Sequence, residues 1–294
     1  MRNLKIISDY LHNEELRKSF NQLSQDIFKL NMEPWYQAGF FKNRYIPFSY
    51  LYEGKIIANA SISFIDVIIN HELKKAIQIG TVMTDKKFRK QGLAKRLMNQ
   101  IIDEYEEKVD FIYLFANDSV LSFYPRFGFK KVLEQHYTMD ASHIFGQEAM
   151  IRKLDPEDRQ DQTIMIRLME NRKPISKTLG IVNDQWPLSV SLLDRYCDFL
   201  DRYYLVEDDM IVLADRNDGI LDIYDVISQN DIHLDDIIEK MLSPQDRRVE
   251  FHFIPELKKY TAKKSIANWE DDTLFVRSKH PFYDEVLFPL TSHT

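Results

Sequence analysis

The chain of 294 residues has one cysteine, Cys197. One thiol cannot close a disulfide within the chain, and a thiolate zinc centre needs several, so no metal site is expected. No apolar run reaches the ~18–20 residues of a membrane-crossing helix. The opening MRNLKIISDYLHNEEL places acids and a histidine where a secretory leader would carry its apolar core. These absences point to a reducing, cytoplasmic setting without membrane contact. The phosphate-loop pattern GxxxxGK[ST] is missing, and short repeats and low-complexity tracts are missing too. Positive charge is in deficit: the formal net charge is -7, so polyanions are repelled except where the field reverses locally.

Hydrophobic residues make up 44% of the chain and charged ones 29%, an ordinary globular balance, and 19 Phe with 15 Tyr can fill thick sheet–helix interfaces. Segment 12–31 sets Leu16, Phe20, Leu23, Ile27 and Leu30 three and four apart, one apolar helix stripe. Three runs rich in β-branched and aromatic residues follow at 46–53, 55–69 and 75–84, the first two separated by the turn dipeptide Glu53-Gly54. The pattern over 91–106 predicts a helix with Leu93, Leu97, Ile101 and Tyr105 on one face. VDFIYLFA (109–116) reads as a strand buried on both sides. A short helix over 118–126 and a strand over 129–139 complete the first series.

This order describes an α/β domain over residues 1–140. A linker at 141–150 lies in the polar stretch MDASHIFGQEAM (139–150). A second unit is expected over 151–294, with helices at 156–171 and 188–202, strands at 203–214 and 218–228, a helix at 232–242, and strands at 247–254 and 273–278. It resembles the first in order and length. The expected architecture is therefore two tandem α/β domains, each a mixed, mostly antiparallel sheet flanked by helices.

The chemically informative segment is 78–96, QIGTVMTDKKFRKQGLAKR, which passes from strand through a basic turn into a helix. A helix start offers unpaired N–H groups and the positive end of the dipole, both suited to phosphate oxygens. Gly92 has no Cβ to obstruct a ligand approaching the backbone. Lys86, Lys87, Arg89, Lys90, Lys95 and Arg96 cluster here with no acid among residues 86–96. Cations at a helix start oppose the dipole, so an ordinary solvated cap fits poorly. Charge alone leaves that cap and a phosphate site as equal alternatives. A nucleic-acid patch ranks last, because the cluster is small and the chain is acidic.

Arg89-Lys90-Gln91-Gly92-Leu93-Ala94 resembles the Q/R-x-x-G-x-G/A signature of the GNAT N-acetyltransferases. A second stretch, ANDSVLSFYPRFGF (116–129), is similar to that family's later motif, with Asn117, Tyr124, Gly128 and Phe129 at the expected places. The resemblance covers about residues 1–140. It implies a cytosolic acyltransferase that uses acetyl-CoA as cosubstrate and acetylates an amine of a small molecule or protein, with homo-oligomerisation left open. The arrangement is similar to the first two domains of enhanced-intracellular-survival-type acetyltransferases, with an active first domain and a diverged second one. The alternative is a non-catalytic acyl-CoA-binding regulator.

By this resemblance, the backbone of Val82, Met83 and Thr84 pairs with the pantetheine arm, and Arg89, Lys90, Gln91, Gly92, Leu93 and Ala94 wrap the pyrophosphate. Asn117 joins the cofactor site, either there or as a helix cap. An amide of Met83 or Val82 serves the oxyanion, and Tyr124 protonates the departing thiolate, where packing alone is the competing role for a tyrosine flanked by Phe123 and Phe127. The acceptor is expected against the segment from Met32 to Phe41. The general base is not marked: Glu33, Glu53, Asp66, Asp85 and His136 are equal candidates. In the second half, QNDIHLDD replaces the basic turn. Asp231, Asp235 and Asp236 there would repel a pyrophosphate, so one active site per chain is expected.

Overall fold

The hairpin expected at Glu53-Gly54 forms between β2 (Tyr45–Tyr52) and β3 (Lys55–Ile69) in a computed structural model, which describes residues 4–193 and 200–293. Both turn residues take positive φ, 48° and 77°, as a twist-matched two-residue turn requires. Before them come β1 (Lys5–Ser8), α1 (Glu14–Phe28) and the short α2 (Glu33–Gln37). Asn13 caps α1 by accepting from the Leu16 N–H, 3.1 Å, and Phe20 and Leu23 of the expected stripe are buried. Strand β4 (Glu72–Thr84) leads through a 3₁₀ turn at Lys86–Phe88 into α3 (Leu93–Tyr105), which returns the chain to β5 (Phe111–Ala116), parallel to β4. Leu93, Leu97, Ile101 and Tyr105 are all buried, so the sequence stripe is the packed face.

Two expectations fail next to β5. Residues 118–126 form no α-helix but two 3₁₀ turns, Asp118–Val120 and Tyr124–Phe127; Pro125 has no N–H to give an α-helical ladder. The single strand expected at 129–139 is two, β6 (Lys130–Lys131) and β7 (Gln135–Asp140), which belong to different sheets.

The second half supplies β8 (Ile151–Lys153), α4 (Arg159–Met169), β9 (Leu179–Val182) and α5 (Gln185–Leu193). Then come β10 (Asp201–Leu205), β11 (Met210–Asn217), β12 (Ile220–Ile227), α6 (Leu234–Met241), β13 (Arg248–Phe251), β14 (Lys263–Ile266) and β15 (Thr273–Ser278). The helix expected over 188–202 begins earlier, at Gln185, and cannot extend to 202 because β10 starts at Asp201. Its residues 194–199, Cys197 among them, lie outside the described residues. The strand expected over 203–214 is two strands around a turn in which Asp209 takes φ 50°.

The two sheets have matching order. The first runs β1-β2-β3-β4-β5-β15-β6, with β9 added alongside β3, and the second runs β8-β10-β11-β12-β13-β7-β14. Position for position, β10-β11-β12-α6-β13 repeats β2-β3-β4-α3-β5, including the parallel pair at β12 and β13. The strand after the parallel pair is exchanged. β15, from the end of the chain, lies antiparallel to β5 with Thr273 opposite Ala116 and Ser278 opposite Phe111. β7, from the first half, lies against β13 with Tyr137 opposite Phe251. The first sheet thus takes two strands, β9 and β15, from beyond the boundary expected near residue 140, and the second takes β7 from before it.

A buried ion cluster joins the second half to the chain's end. Arg172 holds Asp184 at 2.6 Å and Asp225 at 2.9 Å, and Thr291 donates to the same Asp225. Phe288 stacks on Tyr113 of β5 at 4.7 Å, so the final segment packs between the sheets.

Candidate active site

Strands β4 and β5 pair only from Ala76–Phe111 to Gln78–Tyr113. Beyond that point the β5-facing edge of β4 leaves the ladder, and the two strands splay. Within the splay β4 bulges: Asn59 opposes Met83 and Ser61 opposes Gly80, so Thr81 and Val82 together face Ala60. Thr81 takes φ 49°, a strained left-handed conformation for a β-branched residue.

A buried polar network holds that strain in place. The Asn59 amide donates to the Thr81 carbonyl at 2.9 Å and to Ser61 Oγ at 2.8 Å, and accepts from Ser49 Oγ at 2.7 Å. The Tyr45 hydroxyl lies 2.8 Å from both Ser61 Oγ and Thr81 Oγ1, and the Tyr10 hydroxyl 2.6 Å from Ser49 Oγ. Burial pushes the Tyr45 phenol up to about 12, so it stays a neutral hydrogen-bonding group. Strained backbone persists where its surroundings over-determine it. Sequence reading passed over this network and Thr81, since Asn, Ser and Tyr in strands carry no pattern of their own. Met83 and Val82 fall on opposite faces, Met83 buried beneath α1 and Val82 toward α3.

At the end of β4 a cleft of about 310 Å³ opens over the start of α3. Thr84, Arg89, Lys90, Gly92, Leu93 and Ala94 line it. Gln91, Val82, Met83, Asn117 and Tyr124 are not in its wall. Gly92 is the helix N-cap at φ 75°, with no side chain capping the helix, and a Cβ there would meet nothing within 4 Å. Lys90 is also left-handed, at φ 62°. Arg96 is turned away, its guanidinium 3.0 Å from the Tyr50 hydroxyl and 3.3 Å from the Gln91 carbonyl. Arg89 donates to the Thr84 carbonyl, 3.2 Å.

Phe88 and Lys95 also line the cleft, and the opposite wall of Phe123, Arg126 and Phe127 was not legible in the sequence as part of it. Arg126 sits inside the later motif at a position the motif leaves open, and only folding brings it to face Lys95. The cleft therefore gathers four cations, Arg89, Lys90, Lys95 and Arg126, around an uncapped helix start, an arrangement suited to a polyphosphate.

Tyr124 opens the 3₁₀ turn between Phe123 and Phe127, both in the cleft wall. It is 6% exposed and packs on Phe123, Phe129 and Phe275 with ring centroids 5.2, 6.3 and 5.8 Å away. Burial pushes its phenol up to about 12. Asn117 is exposed and precedes the Asp118–Val120 turn, with no capping bond from its side chain.

The general-base candidates are dispersed. Glu33 is bound by Arg17 at 3.0 Å, and that hydrogen bond holds its carboxyl below the usual range. Asp66 pairs with Arg44 at 3.2 Å, Asp85 caps the Lys87 N–H, and Glu53 occupies the hairpin turn. His136 lies in the second sheet, 3.1 Å from Glu250. A larger cavity, about 1030 Å³, has Pro34, Trp35 and Phe40 of the expected acceptor segment on one side and Pro156, Ile166 and Leu193 on the other.

At the matching position of the second half, α6 starts after His233 with no side-chain cap. Its Asp235 carboxylate accepts from the backbone N–H groups of Lys258 and Lys259 at 2.9 Å and of Tyr260 at 3.3 Å. The loop after β13 is thus bonded to the helix start.

Residues 9–129 match the model of the Acetyltransferase (GNAT) family. The first half of the chain thus carries a match to this acyltransferase family. No curated protein matches the chain. Among solved structures it is similar to a conserved protein of unknown function from Enterococcus faecalis: 15% identity, TM-score 0.61, 94% of this chain and 72% of that one. It is also similar to Eis1 from Mycobacterium abscessus, at 14% identity and TM-score 0.59 over 94% of this chain and 73% of that one. A third is a GCN5-related N-acetyltransferase from Kribbella flavida, at 15% identity and TM-score 0.55 over 94% and 72%. These likenesses extend the GNAT fold across both halves. No helix among the described residues is long and apolar enough to cross a membrane.

Proposed function

We propose that this chain transfers an acetyl group from acetyl-CoA directly to an amine of a small molecule or protein, at one site in its first half. The observation that carries the reading is the continuity of three features. The bulged, unpaired end of β4 runs into the uncapped basic start of α3, and the turn that bears Tyr124 closes the far wall.

These residues fit coenzyme A. Arg89, Lys90, Lys95 and Arg126 would hold its phosphates with the N–H groups at the start of α3, and the open edge of Val82 to Thr84 would pair with its amide-bearing arm. Acetyl-CoA supplies an activated acyl carbonyl, whose C–S bond breaks as the amine's C–N bond forms, the amine proton leaving to sulfur or water. The amide of Met83 or Val82, at the bulge, orients the carbonyl and stabilises charge on its oxygen. Tyr124, at about 12, remains protonated at any physiological pH. Its role is therefore to donate a hydrogen bond to the departing sulfur. The second half, whose α6 start lacks the basic turn, adds no second coenzyme site.

The test is direct. Coenzyme A should bind the purified chain by calorimetry and raise its Tm, and a panel of amines should release free thiol from acetyl-CoA. Tyr124→Phe should lower turnover by about 100-fold or more with coenzyme affinity nearly intact. Absence of coenzyme A binding would overturn the assignment. Binding without amine-dependent thiol release would leave only a regulator.

A further inference from the structure

The double 3₁₀ turn that carries Tyr124, residues 118–127, is held by residues about 150 positions further along the chain. Asp271, in the linker before β15, accepts from the Asp118 N–H at 2.9 Å, a separation of 153 residues. In the middle of the turn, the Phe275 ring packs on Tyr124 at 5.8 Å. At its end, Arg277 Nη1 donates to the Phe127 carbonyl at 2.6 Å, and Arg277 Nη2 reaches the Glu106 carboxylate at the end of α3. Gly128 permits this: a Cβ at 128 would collide with Arg277 Nη1, and the residue also takes φ 79°. All four contacts come from the exchanged strand or its approach.

We propose that Arg277 is a positioning residue for the acyl transfer: by binding the Phe127 carbonyl and Glu106 together, it fixes the Tyr124 turn against α3. The second half then serves catalysis through the strand it lends, and the site of the first half is incomplete without it. A short 3₁₀ turn has few internal hydrogen bonds to set its own orientation, so an external charged donor at its last carbonyl decides where the phenol sits. A displacement of about 1 Å at a reacting group lowers rates by about 100-fold. This inference rests on the donor role proposed for Tyr124.

A double-mutant cycle separates the two. Arg277→Met should lower kcat by about 10- to 100-fold while the Kd for coenzyme A, read by calorimetry, changes less than about threefold. Introduced together with Tyr124→Phe, Arg277→Met should cause little additional loss, because the group it positions has gone. Asp271→Ala, at the opposite end of the turn, gives a second entry to the same cycle should Arg277→Met fold poorly. An Arg277→Met loss that is undiminished beside Tyr124→Phe, or an unchanged kcat, overturns the positioning role while leaving the proposed function standing. A Tyr124→Phe enzyme working at the parent rate removes the donor role, and the positioning role with it.

Discussion

Glu134 lies where the chain crosses from β6 in the first sheet to β7 in the second, and its carboxyl is buried. Oε1 accepts from the Phe288 N–H at 2.9 Å, and its own carbonyl accepts from the Ala267 N–H at 2.9 Å. Burial, opposed by His293 and reinforced by Asp272, pushes its pKa from 4.5 up to about 7. The native state therefore holds this proton more tightly than the unfolded chain does. The resulting stabilisation is complete below pH 4.5 and is lost as pH climbs through 7. At about 1.4 kcal/mol per pK unit, the loss by pH 8 amounts to about 3 kcal/mol. Glu134→Gln imitates the protonated acid and keeps the acceptor for Phe288, so it should match the parent near pH 5 and exceed it by about 2–3 kcal/mol at pH 8. Urea unfolding at both pH values, with equal m-values as the control, reads the difference. His293 and Asp272 are present in both proteins, so their contributions largely cancel. A stability difference that is the same at pH 5 and pH 8 would refute the reasoning.

Three further outcomes are expected. Reversing Lys95 and Arg126 to Glu should weaken coenzyme A binding at least tenfold at low salt and flatten its salt dependence; an unchanged Kd would remove both from the site. Asn59→Ala strands buried partners at Ser49, Ser61 and Thr81 and should destabilise the protein by about 3–5 kcal/mol in urea titrations. Arg172→Met leaves the buried Asp184 and Asp225 carboxylates without their cation; a loss of about 3–5 kcal/mol in the same assay is the expected signature.

Sequence alone determined the elements with long, regular patterns. The stripes of α1 and α3, the hairpin at Glu53-Gly54, the buried strand β5 and the basic turn ending at Gly92 were all legible, because each is written in local periodicity or in one residue's backbone freedom. Both motifs of the first half were legible for the same reason, since the basic turn and the tyrosine turn are contiguous stretches. Short edge strands such as β1, β8 and β14 carry too few residues to show alternation, and the turn splitting 203–214 lies inside an otherwise strand-like run. Tertiary structure alone decided which strands become neighbours. A short apolar run such as 273–278 states that it can be buried and says nothing of whose edge it completes, since backbone hydrogen bonding is the same for every partner. That is why Arg277 carried no signal in the chain as written, and why its meeting with Phe127 and Glu106 follows only from β15 lying beside β5.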